Sequence, residues 1–193
     1  MIGVVMAGGS GSRMNLDTEK LLLDIHSEPL IIHVVQALEK SKQFSRIICA
    51  VSPKSPKTQS FLRDESLDVI STRGLGHAED LNQVLQQLHD DVLVVPGDLP
   101  LLDDTIISEI YSKYTKPWTC IVSNIDFLTR HNLHSEYTCT MNNTTLCYTG
   151  INIINSRDIT NLDLISEHLE IIDDVRVVTN LNTKHDYDSF CRV

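Results

Sequence analysis

Glycine is scarce in this chain, with eight among 193 residues, where an average usage near 7% would give roughly thirteen. Long apolar runs are missing too: none approaches the roughly 18 residues of a spanning helix, so no membrane span is expected. The N-terminus, Met1-Ile2-Gly3-Val4-Val5-Met6, lacks a basic n-region and a small-residue cleavage site and does not read as a signal peptide. No pair of cysteines has CxxC spacing. The five present (Cys49, Cys120, Cys139, Cys147 and Cys191) form an odd set. They fit reduced thiols of a cytoplasmic protein better than a disulfide frame or a zinc site. Positive charge is in deficit, 16 basic against 26 acidic residues for a net of −10. A duplex nucleic-acid binder normally shows a basic patch, so no nucleic-acid partner is expected. Any phosphate ligand needs local positive charge to offset the overall field. At 41% hydrophobic and 22% charged residues, disorder is excluded as the main state, and the length fits one domain, 1–193.

What glycine there is clusters. Gly8, Gly9 and Gly11 lie together, as do Gly74 and Gly76; Gly97 precedes Asp98, and Gly150 follows a strand-like run. These are natural places for close approach of backbone to a ligand. Between them the apolar pattern alternates between strand and helix. Strands are expected at 2–6, 47–51, 69–70, 92–95 and 120–122. Helices are expected after Pro29, over 57–64, over 78–88 and after Asp103, which reads as an N-cap. Thr138 to Met141 and Thr144 to Tyr148, joined by Asn142-Asn143, read as a hairpin. The tail predicts a last strand over 177–181 and a closing helix, while 126–136 reads as an irregular loop. Alternating strands and helices imply an α/β sheet, parallel over its first half. The hairpin adds antiparallel strands, so the sheet is mixed.

Ligands of open α/β sheets bind outside the carboxyl ends of the strands. The first strand ends in Ala7-Gly8-Gly9-Ser10-Gly11-Ser12-Arg13, where backbone N–H groups can wrap a phosphate chain. Arg13 offers a planar fork for phosphate, and Lys20 adds a point charge. Neither a G-x-G-x-x-G nor a G-x-x-x-x-G-K-[ST] pattern is present. By this reading, Gly8→Val would fill the space the phosphates need.

The run Ala-Gly-Gly-Ser-Gly-Ser-Arg-Met, followed by Glu19-Lys20, resembles the signature of nucleotidyltransferases of the molybdenum-cofactor guanylyltransferase type. Ser12 stands where threonine is usual, and Leu21 where proline follows the lysine. Val94 to Pro100 resembles that family's metal-aspartate strand, and Asn180-Leu-Asn182-Thr183-Lys-His-Asp186 its closing element. Three further stretches are similar to the archaeal adenosylcobinamide-phosphate guanylyltransferases: Ser52-Pro-Lys-Ser-Pro-Lys-Thr58, Gly74-Leu-Gly-His-Ala-Glu-Asp-Leu-Asn82, and Tyr148-Thr-Gly-Ile-Asn152.

The resemblance implies a three-layer Rossmann-like fold, with a mixed, mostly parallel sheet flanked by helices. It implies transfer of GMP from GTP to adenosylcobinamide phosphate, with Mg²⁺ as cofactor. Arg13, Lys20 and Asp98 would be catalytic. Ala7, Gly8, Gly9, Gly11, Gly74, Gly76 and Asp80 would join Arg13 and Lys20 around the nucleotide. Asp98 and Asn182 would hold the metal, with Asp186 as an alternative to Asn182. Gly150 and Asn152 would lie beside the acceptor. Glu79 or Asp80 could read guanine, or simply favour the start of their helix. Molybdopterin or a sugar phosphate as acceptor, and a non-catalytic nucleotide-binding module, stand as alternative readings. The oligomeric state, a homodimer included, is left open.

Overall fold

In a computed structural model of the chain, the described residues are 1–9, 18–115, 117–135, 137–157 and 165–191. Gly11 and Arg13 lie outside them. Strand β1 (Ile2–Met6) has its central residues fully buried, as a strand covered on both faces requires. Val5 joins one core with Ile31, Val34 and Leu38, while its neighbour Val4 joins another with Leu81, Val84 and Leu85. The first set belongs to helix α1 (Leu30–Ser41) and the second to α3 (His77–Leu85). The period-two alternation of the strand thus feeds two helical layers, giving three layers in all.

A two-stranded hairpin, β2 (Asp24–Ile25) with β3 (Glu28–Pro29), precedes α1. Among the described residues the main sheet has eight strands. Strand β1 sits between β4 (Arg46–Val51) and β6 (Asp91–Pro96), parallel to both, and β5 (Asp68–Ser71) extends β4. On the other side β9 (Thr144–Asn155) runs antiparallel to β6 and to β7 (Trp118–Asn124). Strand β8 (Thr138–Met141) pairs with β9 across Asn142 and Asn143, whose φ values of 49° and 63° make the expected hairpin turn. Helix α2 (Pro56–Asp64) follows β4, and α4 (Asp104–Ser112) follows β6, capped as expected by the Asp103 side chain accepting from the Ile106 N–H at 2.9 Å. No helix among the described residues is long and apolar enough to cross a membrane. All five cysteines are unpaired, and Cys49, Cys120 and Cys147 are buried.

Two expectations fail. The run 177–181 is not a strand. A helical turn, α6 (Val175–Val178), ends there, and the last strand is β10 (His168–Ile171), parallel to β7. The β-branched run suggested extended backbone. The fold overrides it because Asp174 caps the turn through the Arg176 N–H and both Val177 and Val178 are buried in the core. The segment 126–136 is not wholly irregular either: α5 (Ile125–Arg130) occupies its start, anchored by buried Leu128. The closing helix is present as α7 (Lys184–Phe190).

Candidate active site

Strand β1 is where the sheet order reverses, with β4 on one side and β6 on the other. A crevice is expected at the carboxyl ends of the strands around such a point. A cavity of about 330 Å³ opens there, lined among others by Gly8, Gly9, Lys20, Gly74, Gly76, Asp80 and Asp98. Seven of the residues singled out in the sequence therefore meet at one place. His77 and Lys54 line it as well, and Lys54 carried no signal beyond its position in the 52–58 stretch.

The floor is built by Gly97. Its N–H donates to the Met6 carbonyl at 3.0 Å. A Cβ there would stand 2.9 Å from Ile31 Cδ1 and 3.1 Å from the Met6 oxygen. Only glycine lets the turn after β6 lie against β1, and that contact brings Asp98 over the end of β1.

Asp98 is the centre of a polar cluster. Lys20 Nζ forms a short ion pair with Asp98 Oδ2 and donates to Asn182 Oδ1 at 3.0 Å. Asn180 Nδ2 donates to Asp98 Oδ1 at 2.9 Å, and the Leu181 N–H donates to the Asp98 carbonyl at 3.2 Å. The side chains of Lys20 and Asp98 are 14% and 12% exposed, so the pair is partly desolvated, and its attraction exceeds that of a surface pair. The loop after α6 thus returns the chain to β6 and delivers two asparagines. Asn180 belongs to the quoted 180–186 element but was not assigned a role. Asp186 is not in the cluster: it accepts from the Asn182 and Thr183 N–H groups and, with the Thr183 hydroxyl, forms the capping box of α7.

The wall from β5 is the Gly74-Leu75-Gly76 turn, with φ of +70° at Gly74 and +139° at Gly76. Buried Asp80, in the first turn of α3, accepts from the Gly74 N–H at 2.9 Å and the Leu75 N–H at 3.3 Å through Oδ1. One carboxylate oxygen thus shapes the turn. Glu79 stands over Gly76, its Oε2 2.8 Å from where a Cβ would be. His77 opens α3. Its residue surface is exposed, yet desolvation by the surrounding protein holds its imidazole below the ordinary histidine value, against the upward pull of Asp80 and Asp98.

Ala7 roots the loop: its N–H donates to Ala50 at 2.7 Å and the residue is buried. Gly150 (φ +81°) packs on Pro96, where a Cβ would meet Pro96 Cγ at 2.7 Å. Pro96 lines the cavity, so β9 passes directly behind it. Asn152 has partners in its own sheet. Its amide oxygen accepts from Trp118 Nε1 at 2.9 Å and its nitrogen donates to the Gly150 carbonyl at 3.1 Å. The buried amide is engaged within the sheet.

Asp98 and Asn182 supply hard oxygen donors of the kind that suit Mg²⁺. The Lys20 ammonium already lies between those two oxygens, so the position accommodates positive charge. Among the described residues no group of three or more His, Cys, Asp or Glu side chains is placed to hold a metal ion.

A putative glucose-1-phosphate thymidylyltransferase from Bacillus anthracis shares the fold, with a TM-score of 0.70 at 16% identity over 100% of this chain and 94% of that one. The likeness is one of fold; the class follows from the family match over residues 3–142, which makes the protein a nucleotidyltransferase. The matching model is that of the MobA-like NTP transferase domain, and the chain belongs to that family. It is 32% identical to the adenosylcobinamide-phosphate guanylyltransferase of Methanocaldococcus jannaschii over 96% of this chain and 93% of that protein. It is 31% identical to a probable molybdenum cofactor guanylyltransferase of Thermococcus sibiricus, over 63% of this chain and 60% of that protein.

Proposed function

We propose that the protein transfers GMP from GTP to the phosphate of adenosylcobinamide phosphate, releasing pyrophosphate. The observation that carries this reading is likeness to the Methanocaldococcus jannaschii enzyme along nearly the whole of both chains. The likeness to the molybdenum-cofactor relative covers only part of each. An oxygen of the acceptor phosphate attacks the α-phosphorus of GTP. The bond from that phosphorus to the bridging oxygen breaks, and pyrophosphate carries the electron pair away. Two anions must be held together, so catalysis rests on placement and charge stabilisation.

In this reading the Gly8–Gly9 turn and Lys20 hold the triphosphate. Arg13, outside the described residues, adds its fork to the leaving phosphates. Gly74, Gly76 and Asp80 face the nucleoside, and Gly150 shapes the wall on the acceptor side. Asp98 would hold Mg²⁺, with Asn182 directly or through water; when bound, the ion supplies charge compensation at the α-phosphate. With the triphosphate in place Lys20 would exchange its carboxylate partner for phosphate oxygens, a short movement for a flexible ammonium with three N–H groups.

Pyrophosphate release tests this. GTP, ATP, CTP and UTP are supplied in turn with Mg²⁺ and adenosylcobinamide phosphate, and GTP is also supplied with molybdopterin or sugar phosphates. Release with GTP and the corrinoid alone is the expected result. Release only with another acceptor reassigns the substrate. Binding of GTP without release from any acceptor returns the protein to a nucleotide-binding module.

A further inference from the structure

The 52–58 stretch, unusual in composition and without a part in the chemistry above, touches both ends of the loop that follows β1. Ser52 Oγ donates to the Gly8 carbonyl at 2.6 Å, and Ser55 Oγ donates to the Gly9 carbonyl at 3.0 Å. At the far end, the Lys57 and Thr58 N–H groups each donate at 2.8 Å to one carboxylate oxygen of Glu19. Those amides belong to the first turn of α2, where a carboxylate is favoured by unpaired donors and the helix dipole. The two serines are 1% and 2% exposed. Their hydroxyls are therefore internal fasteners rather than surface groups.

The consequence lies in the peptide plane. In a trans peptide the C=O and the next N–H point in opposite directions. With the Gly8 carbonyl held toward Ser52, the Gly9 N–H leaves from the other side. Gly9 lines the cavity, and among the described residues no atom beyond its chain neighbours stands within 4 Å of where its Cβ would be. On the Ser52 side there is no such room: a Gly8 Cβ would lie 3.1 Å from Ser52 Cβ. A carbonyl turned into the cavity would set its lone pairs against phosphate oxygens. A carbonyl turned away leaves an amide donor facing them instead.

We propose that Ser52 and Ser55 are positioning residues for the triphosphate: Ser52 ties the Gly8 carbonyl back so that the Gly9 amide is presented to a phosphate oxygen, and Ser55 holds the Gly9 carbonyl so that it does not turn toward the phosphates. Neither serine touches the ligand in this account. The proposal rests on the nucleotide reading above and adds to it the device that sets the loop.

The test uses the full chain as wild type, Ser52→Ala, Ser55→Ala, the double variant and Ser55→Thr, which keeps the hydroxyl. Calorimetry follows GTP and inorganic tripolyphosphate, ligand-observed NMR follows guanosine, and thermal melts check folding. Each alanine should weaken GTP and tripolyphosphate by about fivefold, the worth of one ordinary hydrogen bond. Guanosine affinity should not move, Ser55→Thr should stay within about twofold of wild type, and KM should rise more than kcat falls. Where Ser52→Ala does not fold, Ser55→Ala carries the same comparison. Unchanged tripolyphosphate affinity in the folded alanine variants overturns the proposal, and so does an equal loss of guanosine binding. Wild-type protein that binds neither GTP nor tripolyphosphate overturns the nucleotide reading itself, a result separate from any difference among the variants.

Discussion

Two charged clusters lie against the same sheet, and they are built in opposite ways. Arg176 binds Asp103, Asp174 and Thr105 through Nε, Nη1 and Nη2 together, at 2.7 to 3.0 Å. That fork is filled on several sides, and none of these residues lines the cavity at the strand ends. Its work is to fasten α6 to the start of α4. Lys20 spends two of its three N–H bonds on described residues, and its partner Asp98 lines the cavity beside it. The first cluster joins two structural elements away from that cavity, whereas the second borders it and is open to exchange. Composition does not separate them, since each joins a cation to acidic and polar neighbours. What separates them is the cavity beside the second, and from that contrast come opposite expectations for substitution.

The largest expected effect breaks the open cluster. Asp98→Asn should lower the rate of pyrophosphate formation by about 10²-fold or more, as loss of a charge-stabilising group does. The melting temperature should stay within about 4 °C of wild type, because the amide still accepts from Lys20 and Asn180 lies beside it. Steady-state rates and circular-dichroism melts check both halves.

Next in size is the contrast between adjacent glycines. Gly9→Val meets no described residue within 4 Å and should weaken GTP binding by about tenfold, about 1.4 kcal/mol, with little change in stability. Gly8→Val was expected to fill the phosphate space, but the structure aims its Cβ at Ser52 instead. It should destabilise the fold by about 1–3 kcal/mol through overpacking. Calorimetry with GTP and urea titration, run on both variants, separate the two.

Breaking the first cluster should cost stability and spare chemistry. Arg176→Ala should destabilise by about 1–2 kcal/mol, the scale of charge-assisted bonds at a partly exposed site. kcat should stay within about threefold when measured well below the melting temperature.

The smallest effect is its pH signature. Hydrogen bonding from Arg176 holds the Asp174 carboxyl below its ordinary value, opposed by burial. The folded pKa is thus depressed, so the unfolded chain binds more protons in that range. The stabilisation is present above about pH 4, the unfolded carboxylate value, and is lost as pH falls through the folded value. Arg176→Ala should flatten this part of the acid limb in denaturant titrations, and an unchanged limb would remove Asp174 from the account.

How much of this was legible beforehand depends on range. Strands β1, β4 and β6 and helices α1 and α4 follow from apolar period, caps and proline, which are local. The residues of the site were legible as motif members: Lys20, Asp98 and Asn182 were singled out separately, and the structure brings them into one cluster. Their direct contact was not legible, because 78 and 162 residues separate Lys20 from its two partners. Asn152 shows the converse. Its place in a familiar stretch suggested the acceptor side, but gave no sign that the indole of Trp118, 34 residues away, donates to its amide oxygen. The 177–181 error has the same origin, since a β-branched run is overruled by an aspartate cap and by burial that only the folded chain supplies. The serines of 52–58 stood out as a pattern, but their acceptors are backbone carbonyls, which no side-chain pattern reveals.

The contrast between the clusters is tested most directly by one paired measurement: pyrophosphate release from GTP and melting temperature for Asp98→Asn and Arg176→Ala, in the same buffers. The account predicts a crossed result, with activity lost and stability kept in the first, and stability lost and activity kept in the second. Asp98→Asn that still turns over near the wild-type rate, or Arg176→Ala that is stable but inactive, would contradict it.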